Sequence, residues 1–301
     1  MVGRRDFLKG TSSAVAGLAV AGTLGPLIEA ASPAHPDLAV AHGGSPAKTA
    51  RAAVEALGGM KRFVSKGDVV VVKPNIGWDR TPEQAANTNP EVVGAVVAMC
   101  IEAGASKVKV FDRPCNDPRR CYVQSGIEAA AKAAGAEVSF INERKFREVA
   151  IPGGVAIKSW PLYTEILDAD KLINVPIAKH HSLAGLTLSL KNWMGVMGGS
   201  RGRIHQKIGE ALVDLALVVK PSLTVLDAVR VLTRNGPQGG NVNDVKRLDT
   251  VAAGTDQVAV DSFGATLFGL KGSDLSYVAS AHRRGLGTMD LEKLAIKRIE
   301  A

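Results

Sequence analysis

The chain alternates short, wholly apolar blocks with longer stretches whose apolar positions recur every three to four residues. Val69-Val70-Val71-Val72, after the Gly67-Asp68 turn, reads as a central parallel strand buried on both faces, because no polar position interrupts it. Ahead of it, Ser45 is placed to cap a helix over 47–63. Asn89-Pro90 opens the next helix, with Val92, Val93, Val96, Val97, Cys100 and Ile101 on one stripe and Gly104 as its stop. A strand over 108–111, a helix over 126–134 stopped by Gly135, and a strand over 138–141 repeat the same spacing.

Between Arg147 and Ile157, around Pro152-Gly153-Gly154, the pattern shifts to short β-type segments, an insertion or hairpin. Helix (162–167) and strand (172–175) then resume, followed by a long helix over 205–219, strands over 223–226 and 250–253, and a helix over 257–267. Two further helical signals, 275–282 and 291–299, close the chain. The predicted fold is α/β: a mostly parallel sheet of successive βα units, with a small β insertion and a helical C-terminal region.

The N-terminus changes this picture. Arg4-Arg5 precede an uncharged run of Ala, Gly, Val, Leu and Ser from Thr11 to Ile28, the signature of twin-arginine export. Glycines and Pro26 interrupt that run, which makes it a poor membrane span. Small residues between Ala30 and Ala34 suit cleavage, so residues 1–34 are expected to be a signal peptide and 35–301 a single α/β domain outside the cytoplasm. The twin-arginine translocase is then the expected partner during export.

The net charge is +8, and the leader contributes only three cations against two anions, so most of the excess belongs to the remainder. Such a balance favours a small anionic ligand or cofactor. Nucleic acid is not expected, since aromatic residues make up 4% and no interleaved Arg/aromatic platform occurs. Composition and spacing name no cofactor, no metal and no oligomeric state.

Polar residues gather where the apolar strands end, the place where open α/β sheets bind ligands. Lys73-Pro74-Asn75 follows the first central strand, and Asp112 ends the next. Asn174-Val175-Pro176-Ile177-Ala178-Lys179-His180-His181 is the densest cluster, with adjacent histidines suited to proton transfer or ligand orientation. Neighbouring histidines point apart unless they lie in a loop, so a shared metal is disfavoured. Thr187 through Gly195 brings Lys191 and Asn192, and Gly198-Gly199-Ser200-Arg201 before a long helix suits an anion cradle.

These readings make Lys73, Lys179, His180 and His181 candidate catalytic groups. Asn75, Asp112, Lys191, Asn192, Gly198, Gly199 and Arg201 are the candidate cofactor or anion ligands. The expected protein is an enzyme for an anionic substrate or cofactor; the rival reading is a non-catalytic extracytoplasmic protein that captures an anion or metal. Asp256 is placed as a helix N-cap. Cys115 and Cys121 bracket a short loop whose bridging would contribute only about 2 kcal/mol, and a chain folded before export cannot require it.

Val71-Val72-Lys73-Pro74-Asn75, the run Val175 to His181, Thr187 through Gly195 and Asp256-x-x-Ala259-x-Asp261 together resemble the bacterial and archaeal domain-of-unknown-function family numbered 362. The likeness runs from about Ala47 to about Gly269. It implies the α/β fold and the placing of the site, along with a twin-arginine leader in many members and ferredoxin-like iron–sulfur fusions in others. It supplies no reaction, though the fusions in relatives suggest a redox-linked role as one form of the enzyme reading.

Overall fold

The computed structural model describes residues 35–301; the expected leader lies outside the described residues. The chain starts with β1 (Leu38–His42) and α1 (Pro46–Ala56), whose N-terminus is capped by Ser45 with Pro46 in the first turn. Next come β2 (Val69–Pro74), α2 (Pro90–Glu102), β3 (Lys107–Val110), α3 (Pro118–Gln124), α4 (Ile127–Ala133) and β4 (Glu137–Val138). Asn89 caps α2 by accepting the Glu91 N–H.

A separate antiparallel hairpin, β5 (Phe146–Ala150) and β6 (Ser159–Tyr163), supplies the small β insertion. It leads through α5 (Thr164–Asp168) to β7 (Lys171–Val175), β8 (Ile177–His181), β9 (Gly185–Thr187), α6 (Ser189–Asn192) and α7 (Ile208–Val218). Two ten-residue strands, β10 (Leu223–Leu232) and β11 (Val245–Gly254), precede α8 (Gln257–Thr266), α9 (Ser276–Arg283) and β12 (Ile296–Glu300).

The main sheet has the order β12-β1-β11-β10-β7-β2-β3-β4, parallel from β10 to β4 and antiparallel where β11 meets β1 and β10. Alternation along β2 shows why it reads as a continuous apolar run: Val70 and Val72 join one core with α1 and α2, while Val71 joins the other with α7, α8 and α9. The result is an α/β protein with helices on both faces.

Several elements differ from the sequence reading. β1 went unpredicted, since its small Leu-Ala-Val-Ala stretch has strand character only once β11 and β12 pair with its two edges. The helix expected to reach Phe63 stops at Ala56, and the Gly58-Gly59 pair that follows has φ of 99° and 78°. The 291–299 signal is a short 3-10 turn and then β12, drawn into the sheet by parallel pairing with β1.

Candidate functional site

At the carboxyl edge of the parallel strands lies a cavity of about 310 Å³. β2 brings Lys73 to its floor, where the residue is 1% exposed. The ammonium meets the Asp112 carboxylate at 2.8 Å, the Pro74 carbonyl at 2.8 Å and Asn192 Oδ1 at 3.1 Å. Asp112 also accepts the Ile76 N–H at 2.6 Å and the Arg113 N–H at 2.9 Å. Gly195 packs against this pair so closely that a Cβ there would fall 1.7 Å from Asp112 Oδ1 and 2.5 Å from Lys73 Nζ. Burial pushes the Lys73 ammonium pKa down, against the pull of Asp112.

After β7 the chain passes Pro176 and continues as β8, which pairs with β10, so Lys179, His180 and His181, expected just past a strand, lie on a second strand. Strand alternation turns Lys179 and His181 to the cavity and His180 away from it. His180 instead accepts the Gly236 N–H at Nδ1, 3.0 Å away, and is not among the lining residues.

Lys179 Nζ bonds the Ala86 carbonyl at 2.5 Å and Asn75 Oδ1 at 3.3 Å. Burial, then the Lys191 charge, lowers its pKa to about 7. His181 Nδ1 accepts the N–H groups of Leu183 and Ala184, which leaves the proton on Nε2. Burial, assisted by Lys191, lowers its pKa to about 3, so the ring is a neutral donor.

α6 presents Lys191 and Asn192, and it is α8 that fixes α6. Asp261 accepts the backbone N–H groups of Ser189 at 2.6 Å and Leu190 at 3.0 Å, satisfying the start of that short helix. Burial pushes the Asp261 carboxyl up to about 8. Asp256 caps α8 itself through Val258 and Ala259, so the two acids of the Asp256-x-x-Ala259-x-Asp261 motif serve two helix starts. Asn192 ties the strand ends together: its Oδ1 accepts from Lys73 and Asn75, and its Nδ2 donates to the Lys73 carbonyl and Asn174 Oδ1.

Lys191 differs from its neighbours. It is 8% exposed, yet among the described residues its ammonium has only the Met194 thioether, at 3.4 Å, as acceptor. Burial lowers its pKa to about 8. Thr187 Oγ1, also on the lining, is buried with no partner.

Arg201 crosses the cavity mouth, donating to the Met194 and Pro114 carbonyls and to Cys115 Sγ. Gly198 and Gly199 do not reach the cavity. The Gly198 N–H is used by the Pro161 carbonyl at 2.7 Å, and the Gly199 carbonyl accepts from Arg113, so the expected glycine cradle is consumed in packing the β5–β6 hairpin.

His205 was not singled out as a site residue. Its ring stacks on His181 with centroids 5.7 Å apart, and its Nδ1 sits 2.9 Å from the Gly202 carbonyl, which puts the proton there and a lone pair on Nε2. Its spacing from His181 carries no local signal, because only the 3-10 turn before α7 folds it back. Cys115 and Cys121 are both free thiols, the first exposed at the cavity and the second buried. Among the described residues no three His, Cys, Asp or Glu side chains gather as a metal ligand set.

The chain can be set beside known proteins. It is 30% identical over 252 residues to a thylakoid-associated protein of Synechocystis, covering 81% of this chain and 76% of that one. Among solved structures it aligns with the lactate racemase apoprotein of Thermoanaerobacterium thermosaccharolyticum at 11% identity and a TM-score of 0.43, over 76% of this chain and 56% of that one. A protein from Thermotoga maritima aligns at 10% identity and a TM-score of 0.43, over 75% and 60%. The chain thus spans less than two thirds of either solved structure. A family model described as a domain of unknown function, DUF362, matches residues 70–266, and the chain belongs to that family.

Proposed function

We propose that this chain is an extracytoplasmic enzyme that binds a small anionic substrate or cofactor in its Lys/His/Asn cleft and moves a proton there. The observation that carries the reading is the Lys191 ammonium, buried beside a 310 Å³ cavity with a thioether as its only acceptor among the described residues. A buried charge without a counter-charge is costly, and a bound carboxylate or phosphate would relieve it. Among the described residues Asp112 is the single carboxylate on the lining and is engaged by Lys73, so the Lys191 charge has no other match there.

The stacked histidines support proton transfer over simple capture. One ring offers an N–H and the other a lone pair to the same space, the complement an acid–base step needs. Calorimetric titration of the full chain with acetate and with phosphate tests the reading. Saturable binding at one site is expected for at least one of them, and heats of dilution alone for both would refute it.

The location rests on the twin-arginine motif, with the thylakoid association of the Synechocystis relative as a supporting parallel. Replacing Arg4 and Arg5 by Lys should leave folded precursor in the cytoplasm; export of that variant at the normal level would remove this part of the proposal.

A further inference from the structure

Three lysine amines reach the cavity, and their partners differ in kind. The three oxygen acceptors around Lys73 Nζ, one of them a carboxylate, match the three N–H bonds of an ammonium. Among the described residues Lys179 Nζ has two acceptors, the Ala86 carbonyl and Asn75 Oδ1, and both are neutral. The orientation of the Asn75 amide is set by its Nδ2, which donates to Asn192, so the oxygen faces Lys179. A neutral amine has two N–H bonds and one lone pair. Two neutral acceptors therefore satisfy it fully and leave the lone pair for the cavity that Lys179 lines. Lys191, held among the described residues by a thioether alone, keeps an ammonium free for an anion.

We propose that the Lys179 amine attacks the carbonyl carbon of a small oxo acid to form an imine, while the Lys191 ammonium holds the substrate's carboxylate. This rests on the anion-binding reading of the same cavity. In the step, the nitrogen lone pair forms the new C–N bond as the carbonyl π pair moves to oxygen. Both amine protons pass to that oxygen, which leaves as water and yields the C=N bond, so neither oxidant nor reductant is required. The neutral His181 Nε2–H is the cavity's donor to the oxygen as it gains charge. Desolvation beside a second cation brings the Lys179 pKa to about 7, which leaves a substantial share of the amine unprotonated at neutral pH.

The test incubates the full chain with pyruvate and sodium cyanoborohydride near neutral pH. Hydride reduction turns any imine into a stable secondary amine, which intact mass and peptide mapping then locate. One reduced adduct on Lys179 is expected, absent from Lys179→Arg, slowed by acetate, and formed about tenfold more slowly in Lys191→Met, where the carboxylate loses its anchor. An adduct on another lysine, equal labelling of a Lys179→Arg chain that keeps its melting temperature, or no adduct in the unaltered chain overturns the imine. Calorimetry with acetate, which has a carboxylate and no ketone, separates the two readings. Acetate or phosphate bound without a pyruvate adduct refutes the imine alone, and no binding of either anion together with no adduct refutes both.

Discussion

A cavity larger than the candidate site, about 410 Å³ between β1, β11, β12 and α8, carries its charge on solvent-facing side chains. Its His42–Glu300 pair spans 3.5 Å with both partners more than half exposed. The smaller cavity, about 310 Å³, buries three lysines and a carboxylate almost completely. An exposed pair is screened by water and contributes little, whereas a buried one must be matched or it destabilises the fold. Volume therefore separates these cavities poorly and desolvated charge separates them well. Charge buried at a cost to stability points to a role in binding.

The largest effect that sharpens this contrast is expected at the Lys73–Asp112 pair. Asp112→Ala leaves a buried ammonium without its carboxylate and should lower unfolding free energy by about 3–5 kcal/mol, measurable by urea denaturation. A loss below about 1 kcal/mol would mean that water or a rearranged partner reaches Lys73.

Anion binding is the next test. Lys191→Met removes the charge without leaving a polar group behind, so affinity for the anion should fall about a hundredfold, consistent with truncating one partner of a buried charge pair. Stability without ligand should hold or rise, because the substitution removes an unmatched buried ammonium. Retained affinity would move the anion to Arg201.

The third test is pH. An anion favours the ammonium form, so affinity should be level well below pH 7 and weaken above about pH 8, as Lys191 loses its proton. The expected decline approaches about tenfold per pH unit for one linked proton. An affinity that strengthens with pH over this range would exclude Lys191 as the anchor. At the larger cavity, His42→Ala should leave both stability, within about 0.5 kcal/mol, and anion binding unchanged, and a loss of binding there would break the comparison.

Much of the parallel half of the fold was legible, and for a local reason. Continuous Val runs, Asn89-Pro90 before α2 and Asp256 before α8 are signals within one turn or strand, and each element formed where it was expected. β1 and β12 were not legible, because each is a strand only through pairing with a segment distant in sequence. The site divides in the same way. Lys73, Asp112 and Lys179 could be found from their places near strand ends, and they line one cavity with Asn75, His181, Lys191, Asn192 and Arg201. That His180 and His181 point apart was legible from their adjacency, but which of them faces the cavity follows only from the register of β8.

By itself the sequence determined the α/β class, the helix caps and the strand ends at which chemistry gathers, since those depend on neighbouring residues and on the period of apolar positions. Only the tertiary structure decided which lysine is paired and which is not, that Gly198 and Gly199 pack a hairpin instead of cradling an anion, and that His205 lies on His181. Those outcomes turn on contacts between groups far apart along the chain. A charge's partner, its burial and its proton are properties of the space it occupies, and the order of residues does not contain that space until the sheet has closed around it.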